Sequence, residues 1–499
     1  MSARRFDLIV IGAGPVGENV ADRAVRGGLT AAIVESELVG GECSYWACMP
    51  TKALLRPGSA LRAARRVPGA REAFGGTLDA EAALRFRDGA AAEWNDSGQV
   101  AWLEDAGIAL VRGHGRLAGP RRVEVTAPDG SVEVLEADHA VAVCTGSGAV
   151  IPPIPGLAEA RPWTNREAAA AERVPGRLVI VGAGVVASEF ATAFASLGSR
   201  VTMLARGGAL LSGNEPFAGE LVAAALREAG VDIRTGTQAT EVRRREDGTL
   251  EIALDDGADH PDGPPRIEAD EILVATGRRP RSDDVGLASV GLPEGRWIRT
   301  DDTLLVLGED GSPLRDGPHD PGWLYAVGDV NGRVQLTHQG KYQARAAGDV
   351  IAARANGTEV EDLPWGRHVA TADHEAVPQV VFTDPEIASV GLTEAAARAA
   401  GHPIRVVDYE LGHVAGASVH AEGYVGRARL VVDTELGTVI GATFVGPDVS
   451  ELLHAATIAV VGGVPLHRLW HAVPSYPTLS EVWLRLLEEL GRDETSAAS

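Results

Sequence analysis

The chain has 499 residues, room for roughly three or four domains. Apolar residues make up 45% and charged residues 23%, which excludes wholesale disorder, and a formal net charge of −23 argues against nucleic acid or an anionic membrane as the main partner. Three cysteines exclude a disulfide framework, and 60 glycines without a collagen-like period must mark turns and close backbone approaches.

Met1 to Arg5 lead at once into the apolar run Phe6–Ile11, which is strand-length and too short for a signal or membrane segment. No other run approaches the length of a membrane span, so the reading is a soluble, cytoplasmic protein. The strand meets Gly12-Ala13-Gly14-Pro15-Val16-Gly17 and a helix-like stretch to Arg26; a second strand, Thr30–Val34, ends at Glu35. Strand, glycine turn, helix, strand and acid form a dinucleotide fingerprint. Gly12, Gly14 and Gly17 allow the tight turn, the approach to a pyrophosphate and close helix packing, and the acid takes a ribose hydroxyl. An ordinary tight turn is the plainer alternative.

The segment Gly40-Gly41-Glu42-Cys43-Ser44-Tyr45-Trp46-Ala47-Cys48-Met49-Pro50-Thr51-Lys52 follows. A disulfide needs Cα atoms about 4.4–6.8 Å apart. Five residues of ideal helix rise about 7.5 Å. A bridge therefore requires a distorted helix start, which Gly40, Gly41 and Pro50 suit, with Cys48 near a helix N-terminus that favours its thiolate. Two buried, reduced cysteines acting as small apolar residues are an equal alternative.

Ala53 to Gly107 reads as helices, Val123–Val125 and Ala140–Cys144 as strands, and Thr145-Gly146-Ser147-Gly148 as a turn, with Cys144 as core packing. The proline cluster Ile151–Gly156 marks a domain crossing. Leu178–Val181 then enter a second fingerprint, Gly182-Ala183-Gly184-Val185-Val186-Ala187, with Glu189 on the helix and the strand Arg200–Leu204 beyond. One chain thus holds two dinucleotide sites, suiting a tightly held flavin at one and a diffusible nicotinamide at the other. The second strand ends at Ala205-Arg206 instead of an acid, which favours a 2′-phosphate and hence NADPH over NADH; a plain surface arginine is the alternative. A strand-to-glycine signal recurs at Ile272–Gly277-Arg278, the polar segments Asp255–Pro265 and Leu307–Gly322 read as loops, a new pattern begins at Val377, and Asp493–Ser499 read as a frayed tail. No metal-binding cluster is expected.

Taken together, the motif series resembles that of the class I pyridine nucleotide-disulfide oxidoreductases, the family of dihydrolipoyl dehydrogenase, glutathione reductase, mycothione reductase and mercuric reductase. The resemblance spans nearly the whole chain. It rests on the first fingerprint with Glu35, the G-G-x-C-x4-C-x-P-x-K block, the second fingerprint, Ala275-Thr276-Gly277-Arg278, Tyr325-Ala326-Val327-Gly328-Asp329, and Thr383–Gly391. It implies an α/β architecture of two Rossmann-like domains, for FAD and NAD(P), plus a C-terminal α+β dimerisation domain. The implied divisions are an FAD-binding part at 1–152, an NAD(P)H-binding domain at 153–280, completion of the FAD-binding region at 281–370 and the dimerisation domain at 371–499. The family's cofactor contacts would fall on Gly12, Gly14, Gly17, Glu35, Gly41, Lys52, Thr145, Gly146, Gly182, Gly184, Ala187, Arg206, Gly277, Arg278, Gly328 and Asp329. Cys48 would lie nearer the flavin as the charge-transfer thiolate and Cys43 would meet the acceptor. Lys52 would lie near the flavin and pair with Glu189, and Asp329 would bond the ribityl chain.

The family usually ends on His-Pro-x-x-x-Glu, whose histidine is an acid-base group given by the partner subunit of a homodimer. Here Tyr476 stands in that place, with Pro477 and Glu481 in register. Ionising a tyrosine at pH 7 costs about 4 kcal/mol, so it is a poor base, although it can donate a hydrogen bond. His413, His420 and His471 are nearby in sequence, but a surface or core role suits each better. No cysteine follows Cys144, which argues against mercuric ion as acceptor. The leading expectation is an FAD enzyme passing electrons from NADPH (NADH being the alternative) through Cys43–Cys48 to a small-molecule or protein disulfide, or to another electrophile such as a quinone. The competing expectations are an NAD-linked dihydrolipoyl dehydrogenase, a diaphorase or transhydrogenase that bypasses the dithiol, and a non-catalytic redox-sensing flavoprotein.

Overall fold

The computed structural model describes residues 3–73, 75–258, 260–261 and 263–492. The expected tail Asp493–Ser499, Asp259 and Asp262 of the expected loop, and Phe74 of the helical stretch lie outside the described residues. Two compact units are present: Met1–Met49 with Asp88–Val150 and Gly277–Asp373, and Pro50–Arg87 with Ile151–Thr276 and His374–Ser499.

The first unit is built on a sheet in the order Ala109–Arg112, Ala31–Glu35, Arg4–Ile11, Val132–Val143, Arg122–Thr126, His114–Leu117, with Leu324–Ala326 also on Val132–Val143. The first four strands run parallel. Both faces of this parallel part are covered. Leu8, Val10 and Ile33 point into one core and Ile9, Ile11 and Val34 into another. Burial on both faces is why these strands read as unbroken apolar runs. Val132–Val143 shows the transition within one strand: its first half pairs antiparallel with Arg122–Thr126 and is partly exposed, while Ala140–Val143 pair parallel with Arg4–Ile11 and are buried. Helices Pro15–Arg26 and Thr337–Ala355 pack together, and Gly348 and Gly27 allow it: a Cβ on either would fall within 2.6 Å of an atom of the other helix.

The second unit contains a parallel sheet in the order Asp232–Thr235, Arg200–Ala205, Arg177–Val181, Glu271–Val274, and an antiparallel sheet of Gln238–Arg244, Leu250–Asp255 and Arg266–Ala269. It also holds an antiparallel sheet in the order Pro378–Val381, Glu386–Gly391, Thr438–Gly446, Arg427–Asp433, Ile404–Glu410. Leu453–Val461 and Val482–Leu490 supply Leu453, Ala456, Val482 and Leu486 to its core. Among the described residues, no helix is long and apolar enough to cross a membrane.

Candidate active site

In the first unit the glycine turn lies between Arg4–Ile11 and Pro15–Arg26. Gly12 has φ +102, and a Cβ there would meet the Cys144 carbonyl oxygen at 2.6 Å. A Cβ on Gly17 would lie 1.9 Å from the Gly12 oxygen, so the helix can seat against the turn only with glycine at both places. The helix starts at Gly14 without a side-chain cap, leaving first-turn amides for an external anion. Glu35 closes the second strand. Its carboxylate accepts the Ala13 amide at 2.8 Å and the Glu37 amide at 2.7 Å, which holds the acid beside the turn.

The cysteine segment resolves its length problem by breaking. Gly40 adopts φ +110 and Gly41 opens a short helix, Gly41–Tyr45, which Trp46 ends at φ −138; Cys48 then opens the longer helix Cys48–Arg65. Neither cysteine is in a disulfide. The Cys43 thiol is pushed well above the usual range by its hydrogen bond with Cys48 and by burial, while Thr337 and Lys341 oppose the rise. The Cys48 sulfur lies 3.2 Å from the Thr337 hydroxyl, at the start of Thr337–Ala355. Glu42, between Gly41 and Cys43, is gripped by Arg278 at 3.2 Å and Arg281 at 3.0 Å. This pair of charged contacts holds the cysteine helix against the Arg278–Pro280 strand.

Asp329 lies in the same unit. Its carboxylate accepts the Ser147 hydroxyl at 2.5 Å and stands 3.9 Å from Arg278, whose Nε also donates to the Ser147 hydroxyl at 2.7 Å. Burial pushes this carboxyl above its usual range, against Ser147 and Arg278. Gly328 reaches its φ of +80 with its amide donating to Gln343 Oε1 at 2.8 Å, and Gln343 donates in turn to Asp373 at 2.9 Å. Thr145 donates to the Arg281 carbonyl at 2.6 Å, Gly146 has φ +72, and Gly277 (φ +143) accepts from the Val150 amide at 3.0 Å. Cys144 is buried in the core.

In the second unit, Gly182 repeats the geometry of Gly12: φ is +143 and a Cβ would sit 2.3 Å from the Ala275 carbonyl oxygen. Gly184 starts helix Val185–Ser196 without a side-chain cap and with open space around it, and Ala187 is buried. Ala205 is the buried last residue of its strand and Arg206, just beyond, is exposed. On that helix Glu189 is buried; it takes the Lys52 ammonium at 2.8 Å and the Phe382 amide at 3.0 Å. Lys52 also lies over the Phe382 ring at 4.9 Å. Lys52→Met strands a buried carboxylate and is expected to lower the unfolding free energy of the protein by about 2 kcal/mol, measured by denaturant titration; an unchanged midpoint would remove the pair from the stabilising contacts.

The two C-terminal candidates are placed differently from each other. Tyr476 is 77% exposed, in a stretch where Val473 is also bare. Glu481 is buried, and its carboxylate accepts the Gly416 amide at 3.3 Å. His471 is exposed, His420 pairs with Asp448 at 2.9 Å, and His413 lies edge-on to Tyr409.

Residues 6–344 match the family model described as pyridine nucleotide-disulphide oxidoreductase. The chain belongs to this family. Residues 377–486 match the family's dimerisation domain, which supports a homodimer. The oxidoreductase is 32% identical over 491 residues to dihydrolipoyl dehydrogenase of Chlorobaculum tepidum, covering 96% of both chains. It is 31% identical over 483 residues to mercuric reductase of Acidithiobacillus ferrooxidans, covering 96% of this chain and 81% of that one. In fold it matches the HOCl-induced flavoprotein disulfide reductase RclA of Escherichia coli with a TM-score of 0.80 at 22% identity, over 99% of this chain and 100% of that one. It matches LpdA of Mycobacterium tuberculosis with a TM-score of 0.79 at 24% identity, over 98% and 100%. The oxidoreductase is therefore a flavoprotein enzyme of a family that is FAD-dependent, uses pyridine nucleotides and acts on sulfur groups. The residues present fit dinucleotides: each glycine turn meets an uncapped helix start, and a side chain would fill the turn at Gly12 and Gly182.

Glu18, Glu42, Thr337, Lys341, Ser147, Arg281, Gln343 and Asp373 join the candidate residues only in the folded chain. Glu42 alone carried a signal, standing inside the cysteine motif. The others sit in ordinary helical or loop sequence, and only the folded chain sets Thr337 against Cys48, Ser147 on Asp329, Arg281 on Glu42, and Gln343 with Asp373 behind the Gly328 amide.

Proposed function

We propose that this oxidoreductase takes electrons from NADPH and delivers them through Cys43 and Cys48 to a disulfide or another two-electron electrophile such as a quinone. The observation that carries this reading is the pair of hydrogen-bonded thiols, outside any disulfide, lying against the start of the Thr337–Ala355 helix. The Gly12–Gly17 turn, Glu35 and Asp329 would hold FAD in the first unit, and the bound flavin would supply hydride acceptance and electron transfer to the pair. The chain's own residues do the rest. The amides of the Cys48 helix start and the Thr337 hydroxyl favour an anion on Cys48, and Cys43 serves as the nucleophile toward the acceptor. Glu189 fixes the Lys52 ammonium, the cation we assign to the flavin's electron transfer, and Tyr476 would serve the partner subunit's thiol pair in a homodimer with shared active sites. The protein acts in the cytoplasm, where free thiols persist.

Anaerobic addition of NADPH to the holoenzyme is expected to raise a long-wavelength thiolate–flavin band that Cys48→Ser abolishes. Absence of the band, or its survival in Cys48→Ser, would refute the thiol route. For the nucleotide, Arg206→Ala is expected to lower kcat/KM for NADPH by about tenfold and leave that for NADH unchanged. Equal effects on both would remove Arg206 from recognition of a 2′-phosphate. A second reading, an NAD-linked dihydrolipoyl dehydrogenase, draws on the 32% identity to that enzyme along both chains. Turnover with dihydrolipoamide and NAD exceeding that with NADPH and disulfides would favour it.

A further inference from the structure

Three helix starts converge in the first unit. The Pro15–Arg26 helix carries Glu18 in its first turn, Gly41–Tyr45 carries Cys43, and Thr337–Ala355 carries Thr337 and, one turn on, Lys341. Their spacing is tight. A Cβ on Gly41 would lie 2.8 Å from the Gly14 Cα, and one on Gly340 would lie 2.6 Å from the Val16 side chain. The Cys48 sulfur is 3.2 Å from the Thr337 hydroxyl. Within this cluster Glu18 Oε1 is buried with no hydrogen-bond partner. Lys341 is half-buried, has no salt-bridge partner among the described residues, and acts electrostatically on both Glu18 and Cys43. A buried carboxylate oxygen without a hydrogen bond, near an ammonium that forms no close ion pair, costs free energy that a purely structural role would not repay.

We infer that Glu18 and Lys341 handle the proton of the Cys43 thiol, the task that the family's histidine performs and that exposed Tyr476 is chemically unsuited to. The inference rests on the reading of Cys43 and Cys48 as a redox pair. Lys341 favours the Cys43 thiolate, and Glu18 takes the proton. The thiolate attacks one sulfur of an acceptor disulfide RS–SR. That S–S bond breaks, a Cys43–S–S–R bond forms, and RS⁻ leaves with the electron pair and recovers the proton from Glu18. The Cys48 thiolate then breaks the mixed bond, forming the Cys43–Cys48 disulfide and a second thiolate, protonated in turn. The dithiol is oxidised and RSSR is reduced to two RSH, one proton coming from the Cys43 thiol through Glu18 and the other from solvent water, because Cys48 enters the step as a thiolate.

The ionisation of Glu18 suits this task. Burial, with Glu35 adding, pushes its carboxyl up to about 7, and Lys341 opposes. The groups facing it are Lys341 from the long helix, Glu35 from the strand end and Tyr45 from the cysteine helix. A carboxyl poised near neutrality can both accept and return a proton.

Glu18→Gln, Lys341→Met and His338→Gln holoenzymes, the last removing an exposed residue next to Thr337, test the inference. Each is reduced with NADPH, and the rate of Cys43 alkylation by iodoacetamide is followed against pH by mass spectrometry. The pH profile of kcat/KM for a model disulfide is measured in parallel. Lys341→Met is expected to raise the Cys43 alkylation midpoint by about one pH unit, a tenfold loss of thiolate at neutrality. Glu18→Gln is expected to remove the ionisation near pH 7 from the kcat/KM profile and slow disulfide reduction about a hundredfold. If Glu18→Gln keeps the wild-type profile, or if His338→Gln alone loses the ionisation, the assignment of Glu18 fails while the redox pair stands. If NADPH yields no alkylatable thiols in an enzyme isolated oxidised, the redox-pair reading fails, and the role of Glu18 with it.

Discussion

Cys43→Ser is expected to abolish reduction of disulfide acceptors, lowering kcat by about a thousandfold or more, while NADPH oxidation with ferricyanide continues. A serine hydroxyl ionises far less readily than a thiol and forms no exchangeable bond with sulfur, so the mixed disulfide cannot arise. The structural disturbance is small: Cys43 is in a short helix held by Glu42 to Arg278 and Arg281, contacts that do not involve the sulfur. The two activities therefore separate chemistry at the acceptor from chemistry at the nucleotide. Cys43→Ser retaining full disulfide turnover would show that electrons leave the enzyme without passing through the pair. Parallel loss of the ferricyanide activity would show damage to the flavin site.

Gly12→Ala has an equally large expected effect by a different route. The residue has φ +102, and the added methyl would lie 2.6 Å from the Cys144 carbonyl oxygen, a backbone atom just past the end of the Val132–Val143 strand that cannot swing away because the Cys144 amide is bonded to the Ile11 carbonyl. Strain and clash together should cost about 3 kcal/mol or more and yield protein purified without flavin, read from the 450 nm absorbance and the melting temperature. Gly184→Ala is the informative contrast. Its φ is −88, and nothing lies within 4 Å of the added methyl. Folding and flavin content should be unchanged, and only the KM for the nicotinamide should rise, because the methyl enters the space a pyrophosphate would occupy at the uncapped helix start. A Gly12→Ala protein with full flavin and normal stability would overturn the geometry of the turn. A Gly184→Ala protein with unaltered KM would place the nicotinamide elsewhere.

Much of the fold could be read along the chain because its causes are local. The turns at Gly12 and Gly182 need φ values that side chains resist, and the strands beside them read as continuous apolar runs because both faces are buried. Glu35 and Ala205–Arg206 were recognisable because each stands at the end of a strand two elements after a glycine turn. The cysteine spacing predicted a broken helix, and Trp46 supplies the break between Gly41–Tyr45 and Cys48–Arg65.

The surroundings of the thiols had no such signal. Thr337 and Lys341 lie nearly three hundred residues beyond the cysteines they act on, Asp373 braces the Gly328 turn through Gln343, and Glu18 looks in sequence like any first-turn acid that favours a helix dipole. Tyr476 shows the same limit from the other side: its register matched the family's histidine, yet only the tertiary structure reveals that it is bare while Glu481 is buried on the Gly416 amide. By itself the sequence determined the two nucleotide turns, the strands that flank them and the cysteine pair, since each depends on backbone geometry and burial set by near neighbours. The proton environment of Cys43 was decided by tertiary structure alone, because it arises where three helix starts from distant segments meet, and no local period encodes which charges they bring.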